Sequence, residues 1–309
     1  MTNPHISNRS ANIASRPVVV VGVDGSLESS AAARWAADVA ARRHEELQLI
    51  YSGFLPVLGY PAMGYPIGFV EQADQQGRNL LTKIAREIQT RQPGLTLATE
   101  QVQSDPRQAL VDASRAASLT VLGNRSGSRL QDVMVGSVAL HVAAHAYSPV
   151  AVVPADHHPR GGPILVGVDG SANSTAAIAF AFDEAAVRGV DLVAVLTFDD
   201  WASQGMASRP LASSSAGTQE HHAVMSEELA GWREKYPDVQ VTEQVFRGQA
   251  ADCLVGFAEH APAAQRPQMV VVGSRGRGGL TGLFLGSTSH ALISHASCPV
   301  VVVRPVQGS

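Results

Sequence analysis

The residues with the most chemistry in their spacing are Gly273-Ser-Arg-Gly276, then nine residues, then Gly286-Ser287. A glycine directly after a buried strand lets backbone approach a flat ligand closely. The second glycine is expected at positive φ, exposing backbone N–H groups, and Gly286-Ser287 is expected to open a helix. Free N–H groups at the positive end of a helix dipole make an anion site, and a serine hydroxyl adds one more donor. The spacing is neither of the common nucleotide loops. A P-loop needs Gly-Lys-Ser/Thr, which is absent, and a dinucleotide fingerprint follows the first strand of its βαβ unit rather than the fourth. An earlier stretch repeats the pattern with one change. Gly123, Gly136 and Ser137 match, while Ser126 stands in place of the second glycine with Gly127 beside it.

Other candidate residues carry less. His141 and His145 lie four apart on an expected helix, but neither the glutamate of a zinc-protease motif nor a third ligand accompanies them, so both are read as structural. Cys253 and Cys298 are the only cysteines, too few for a disulfide framework, and Cys298 reads as a buried strand-start residue. Arg125, Arg129, Arg275 and Arg277 flank the glycine loops and are read as phosphate-adjacent or solvated. Gly276-Arg-Gly-Gly279 lacks the aromatic interleaving of an RNA-binding segment. Trp201 follows a strand beside the expected ligand edge, where loop packing is preferred to covering a base; Trp232 reads as core.

The elements that must position these residues come twice. Val19-Val-Val-Gly-Val-Asp-Gly-Ser26 recurs as Ile164-Leu-Val-Gly-Val-Asp-Gly-Ser171, an offset of 145. Val121-Leu-Gly-Asn-Arg125 recurs as Val271-Val-Gly-Ser-Arg275, and Gly136-Ser137 as Gly286-Ser287, both at an offset of 150. The period is too long for a solenoid and predicts a duplicated domain. With 309 residues, each copy has the roughly 150 of an ordinary domain. A polar leader over 1–16 reads as disordered. Domains are expected at 17–154 and 163–306, joined by a turn-rich linker at 155–162. Strands are expected at Val18–Val23, Leu47–Ser52, Leu95–Val102 and Leu119–Leu122, and in the second copy at Ile164–Val168, Leu192–Thr197, Val239–Phe246 and Met269–Val272. Helices fall between them, including Pro106–Ala117, with Ser26 and Ser171 as N-caps. Long loops at Phe54–Val70 and Asp199–His221 are candidate lids. The fold class is therefore α/β: two tandem doubly wound, mostly parallel five-stranded sheets of Rossmann-like type, with ligands expected beyond the carboxyl strand ends.

The loop Gly-two-Gly-nine-Gly-Ser, complete in the second copy and with Ser126 for its second glycine in the first, occurs both times with the strand-end Val-Asp-Gly-Ser and the closing Pro-Val strand. In this the chain resembles the universal stress protein family, of the ATP-binding, nucleotide α-hydrolase type. The resemblance implies ATP, with or without magnesium, as ligand. It implies that Asp24 and Asp169 lie in the adenine pocket, lined further by Leu122 and Val272, with Ser52 and Thr197 contacting the base through backbone. It places Gly123 and Ser126, and Gly273 and Gly276, against ribose and phosphates. Gly136, Ser137 and Val138, and Gly286, Ser287 and Thr288, would receive the phosphates.

A net charge of −4 gives no broad attraction for nucleic acid or anionic membrane, and no run approaches the roughly 20 apolar residues of a membrane span. A cytoplasmic protein is expected. The resemblance implies an ATP-binding regulator of stress, growth or dormancy, with an unknown regulatory partner and no catalytic residues. The alternatives are a slow ATPase or autophosphorylating enzyme, and a module with empty pockets. The last strands of the two copies are expected to pair within the chain, and two chains to associate as a homodimer.

Overall fold

The computed structural model describes residues 17–54, 68–124, 136–157, 161–198, 209–210, 216–262, 265–276 and 285–305. Ser126, Trp201, the leader and most of both candidate lids lie outside them.

Each copy starts from a β-branched run that suits a strand buried on both faces. In the first copy, β1 (Val18–Val23), α1 (Leu27–Arg43), β2 (Glu46–Ser52) and α2 (Phe69–Arg91) are followed by β3 (Leu97–Val102), α3 (Pro106–Ala113), β4 (Ala117–Asn124), α4 (Ser137–His145) and β5 (Val150–Pro154). The second copy repeats the order in β6 (Ile164–Val168), α5 (Ala172–Arg188), β7 (Leu192–Phe198), α6 (Ala216–Lys235), β9 (Val241–Arg247), α7 (Ala250–His260), β10 (Met269–Gly273), α8 (Ser287–His295) and β11 (Val300–Val303). A two-residue strand, β8 (Arg209–Pro210), is added antiparallel to the β9 edge. The third helix of copy one is shorter than its sequence suggests: it stops at Ala113, and Ala117 already belongs to β4.

The two five-stranded sheets join into one. Strand order is β3-β2-β1-β4-β5-β11-β10-β6-β7-β9-β8. Apart from β8, pairing is parallel within each copy, and it is antiparallel where β5 meets β11, with Val152 opposite Val300 and Val150 opposite Val302. Strand alternation sends side chains to two cores. Val19, Val21 and Val23 pack under α1 and α2, as Val166 and Val168 pack under α5 and α6. Val20, Leu165 and Val270 pack against α3, α4, α7 and α8.

Polar contacts also cross the seam. Asn124, at the end of β4, donates its amide N–H to the Ile293 carbonyl of α8 at 2.6 Å. Arg304, just past β11, donates to the Ala144 carbonyl of α4. On the other face, Glu184 of α5 accepts from Arg43 Nε of α1 and from Arg188 Nε, both at 2.6 Å. Glu184 is 2% exposed. Burial raises its pKa, but Arg188 and Arg43 outweigh that and leave the carboxyl below its ordinary value.

Candidate functional site

The strand-end aspartates build the floor of the site. Asp24 Oδ1 accepts from the Ser26 N–H at 3.0 Å, and Asp169 Oδ1 from the Ser171 N–H at 2.9 Å. These turns need the intervening glycines in the left-handed region, at φ 86° for Gly25 and 72° for Gly170. Ser26 and Ser171 then cap α1 and α5, accepting from the Ser29 and Ser174 N–H groups. Ser29 and Ser174 return hydrogen bonds by accepting from the Asp24 and Asp169 N–H groups.

The strand order places these turns at the switch points β1/β4 and β6/β10, where helices leave to opposite faces and a crevice must open. One cleft opens at each. The first has about 300 Å³ and is lined by Asp24, Ser52, Leu122, Gly123, Gly136, Ser137 and Val138. The second has about 470 Å³ and is lined by Asp169, Thr197, Val272, Gly273, Gly276, Gly286, Ser287 and Thr288. Every sequence-derived site residue except Ser126 thus meets its counterparts in one of the two clefts. Both volumes fall within the range of small-molecule pockets.

One loop glycine departs from the expected geometry, and packing constrains others. Gly276 is not at positive φ. Its lack of a side chain matters because a Cβ there would stand 2.6 Å from Asp169 Oδ2. The loop therefore lies against the aspartate, and a side chain would fill the space between them. Gly123 and Gly273 are fixed by helix packing: a Cβ would meet the Glu28 backbone carbonyl carbon at 2.5 Å, or Asn173 Cβ at 2.7 Å. Gly286 caps α8 in extended conformation, its N–H donating to the Ser274 carbonyl at 2.8 Å. α4 and α8 start at Gly136 and Gly286 without a side-chain cap, so their first-turn N–H groups point at the cleft with the positive end of the helix dipole.

Sequence reasoning missed one wall. Pro106, Ala109 and Leu110 of α3 close the first cleft, and Ala250 and Leu254 of α7 the second. The available signal was that both helices begin straight after a third strand, at the same sheet edge. Leu285 and Arg275 also line the second cleft. Next to the first cleft, Asp105 caps α3, and its hydrogen bond from Arg107 lowers its pKa to about 2. His141 and His145 stack with centroids 4.2 Å apart; burial, then His145, lowers the His141 pKa. Cys298 is fully buried, and Trp232 packs at the core margin beside Phe182.

An α/β sheet with a cleft and an uncapped helix start at each of two switch points defines a paired, cleft-bearing class of protein. The chain belongs to the universal stress protein family, whose model matches residues 16–154 and 162–304. It is 40% identical over 293 residues to a universal stress protein of Mycobacterium tuberculosis, covering 93% of this chain and 96% of that one. A Mycolicibacterium smegmatis universal stress protein is 38% identical over 295 residues, covering 93% and 97%. Among solved structures, a universal stress protein from Archaeoglobus fulgidus superposes with a TM-score of 0.68 at 20% identity, covering 93% of this chain and 96% of that one, a likeness of fold. Among the described residues, no helix is long and apolar enough to cross a membrane.

Proposed function

We propose that this protein binds ATP in its clefts and acts as a nucleotide-dependent regulator in stress, growth or dormancy control. The observation that carries this reading is the convergence of Asp169, Gly273, Gly276, Gly286 and Ser287 on one cleft. A flat apolar wall of Val195, Val272 and Leu254 suits a base, and the α8 start suits the phosphates. Asp169 offers the base or ribose a hydrogen-bond acceptor. Gly276 lets the loop close against Asp169. Arg275 adds positive charge at the same mouth. ATP brings its own triphosphate charge and any magnesium that accompanies it. The residues of this chain bind and orient it.

Occupancy is read here as a signal to a partner rather than as a catalytic step. The test is to denature the purified protein, identify the released nucleotide, and assay turnover with magnesium. Bound ATP with negligible turnover fits the regulator, whereas turnover faster than about 1 s⁻¹ fits an enzyme. Gly276→Val should weaken ATP binding to the second cleft at least tenfold by calorimetry while leaving the first cleft unchanged. Unchanged binding at both would remove the loop from the site.

A further inference from the structure

A third cavity, of about 220 Å³, lies away from both clefts, on the face where α1 and α5 meet across the domain seam. Both copies and the linker line it: Arg34, Asp38, Arg42 and Arg91 from the first, His157 between, and Arg188 and Gln268 from the second, with Trp35 as an aromatic wall. Four guanidinium groups share the cavity with one carboxylate. Two of the four have carboxylate partners outside the cavity lining. Arg34 pairs with Glu87 at 3.2 Å, and Asp38 accepts from Gln92 Nε2 at 3.1 Å. Glu184 divides its charge between Arg188 and Arg43, and Glu45 is 4.0 Å from Arg43. Among the described residues, Arg42 and Arg91 have no ion-pair partner.

Arg188 makes this more than a surface charge cluster. Its side chain is only 7% exposed. Nε donates to Glu184 at 2.6 Å, and Nη1 to Gln268 Oε1 at 2.9 Å. Gln268 is anchored in turn by donating Nε2 to the Gly162 carbonyl at 2.6 Å. The guanidinium is thus fixed on two sides, while its buried Nη2 has no hydrogen-bond partner. A buried, charged N–H donor left without an acceptor is costly, and native structures rarely leave one unfilled. Arg188 lines the cavity, which is where an acceptor could reach it. A fixed guanidinium fork, further arginines and limited volume suit a compact oxyanion, and guanidinium geometry matches phosphate oxygens.

We propose that the seam cavity is a binding site for a small phosphate-type anion, held by Arg188 Nη2 with Arg42 and Arg91, and separate from the nucleotide clefts. Since both domains and the linker contribute, such an anion ties the two halves together. The test is calorimetric titration of the full-length protein with inorganic phosphate, in parallel with succinate as a dicarboxylate of similar charge. Phosphate should bind the wild type, and Arg42→Gln/Arg91→Gln should weaken it at least tenfold with ATP binding unchanged. Both arginines are exposed, so the double variant should fold; Arg91→Glu alone provides a second variant and should weaken phosphate at least as much as the double variant. Gly276→Val should leave phosphate binding intact. Equal phosphate binding by wild type and both seam variants would overturn the proposal, as would loss through Gly276→Val alone, tighter binding of succinate, or no phosphate binding at all.

Discussion

At the scale of single residues, the two copies carry the same backbone for different reasons at different positions. Gly123 and Gly273 let a helix start press against a strand end, so their loss acts on folding before it acts on ligand. Gly123→Ala should destabilise the protein by about 3 kcal/mol in urea unfolding without nucleotide, as overpacking against backbone does. The opposite outcome, normal stability with lost ATP binding, would return this glycine to a purely ligand-facing role. The copies also differ in charge. Glu28 lines the first cleft, whereas the matching Asn173 is neutral and accepts a hydrogen bond from Ser274 Oγ at 3.0 Å. A carboxylate at the mouth of a phosphate site costs about 1 kcal/mol when solvated, or about fivefold in affinity. Glu28→Asn should therefore tighten ATP at the first cleft about fivefold in calorimetry, leaving the second cleft unaffected.

At the scale of elements, α1 and α5 are joined by a buried ionic group rather than by apolar contact alone. Glu184 carries two arginines, one from each domain. Removing its charge while both guanidinium groups stay buried should cost about 3 kcal/mol near neutral pH. The folded carboxyl titrates below the unfolded one, so this stabilisation is complete above the unfolded value of about 4.3 and fades as pH falls through the lower folded value. Thermal unfolding of wild type and Glu184→Gln should differ most at pH 7 and converge in acid, below the lowered folded value. A difference that persists unchanged at acid pH would mean that the loss is steric. The elements themselves were largely legible. β-branched runs gave the strands, alanine-rich runs the helices, and Asp-Gly-Ser the caps. The end of α3 was not, because Ala113 to Ala117 suits a helix and only sheet pairing of Ala117 with Val18 draws it into β4.

At the scale of the whole molecule, β5 and β11 close each other's open edges, and Asn124 and Arg304 brace α8 and α4, each from the other domain. A fragment of residues 17–154 alone would leave β5 unpaired along an apolar edge. It should self-associate into a two-fold dimer in sedimentation, with β5 pairing with its own copy. A monomeric fragment would show that the seam needs the ionic group and braces more than the strands.

The sequence by itself determined the duplication, the α/β class, the turn-and-cap chemistry at Asp24 and Asp169, and part of the lining of both clefts. These are local or periodic properties, and they repeat at a fixed offset. Only the tertiary structure decided what meets across distance. It set Gly276 against Asp169, brought α3 and α7 over the clefts, and gathered Arg188, Arg42 and Arg91 around a cavity between domains. No spacing in the chain encodes those meetings: the first two arise from the parallel strand order within each copy, and the last from the helix faces that the antiparallel seam turns toward each other.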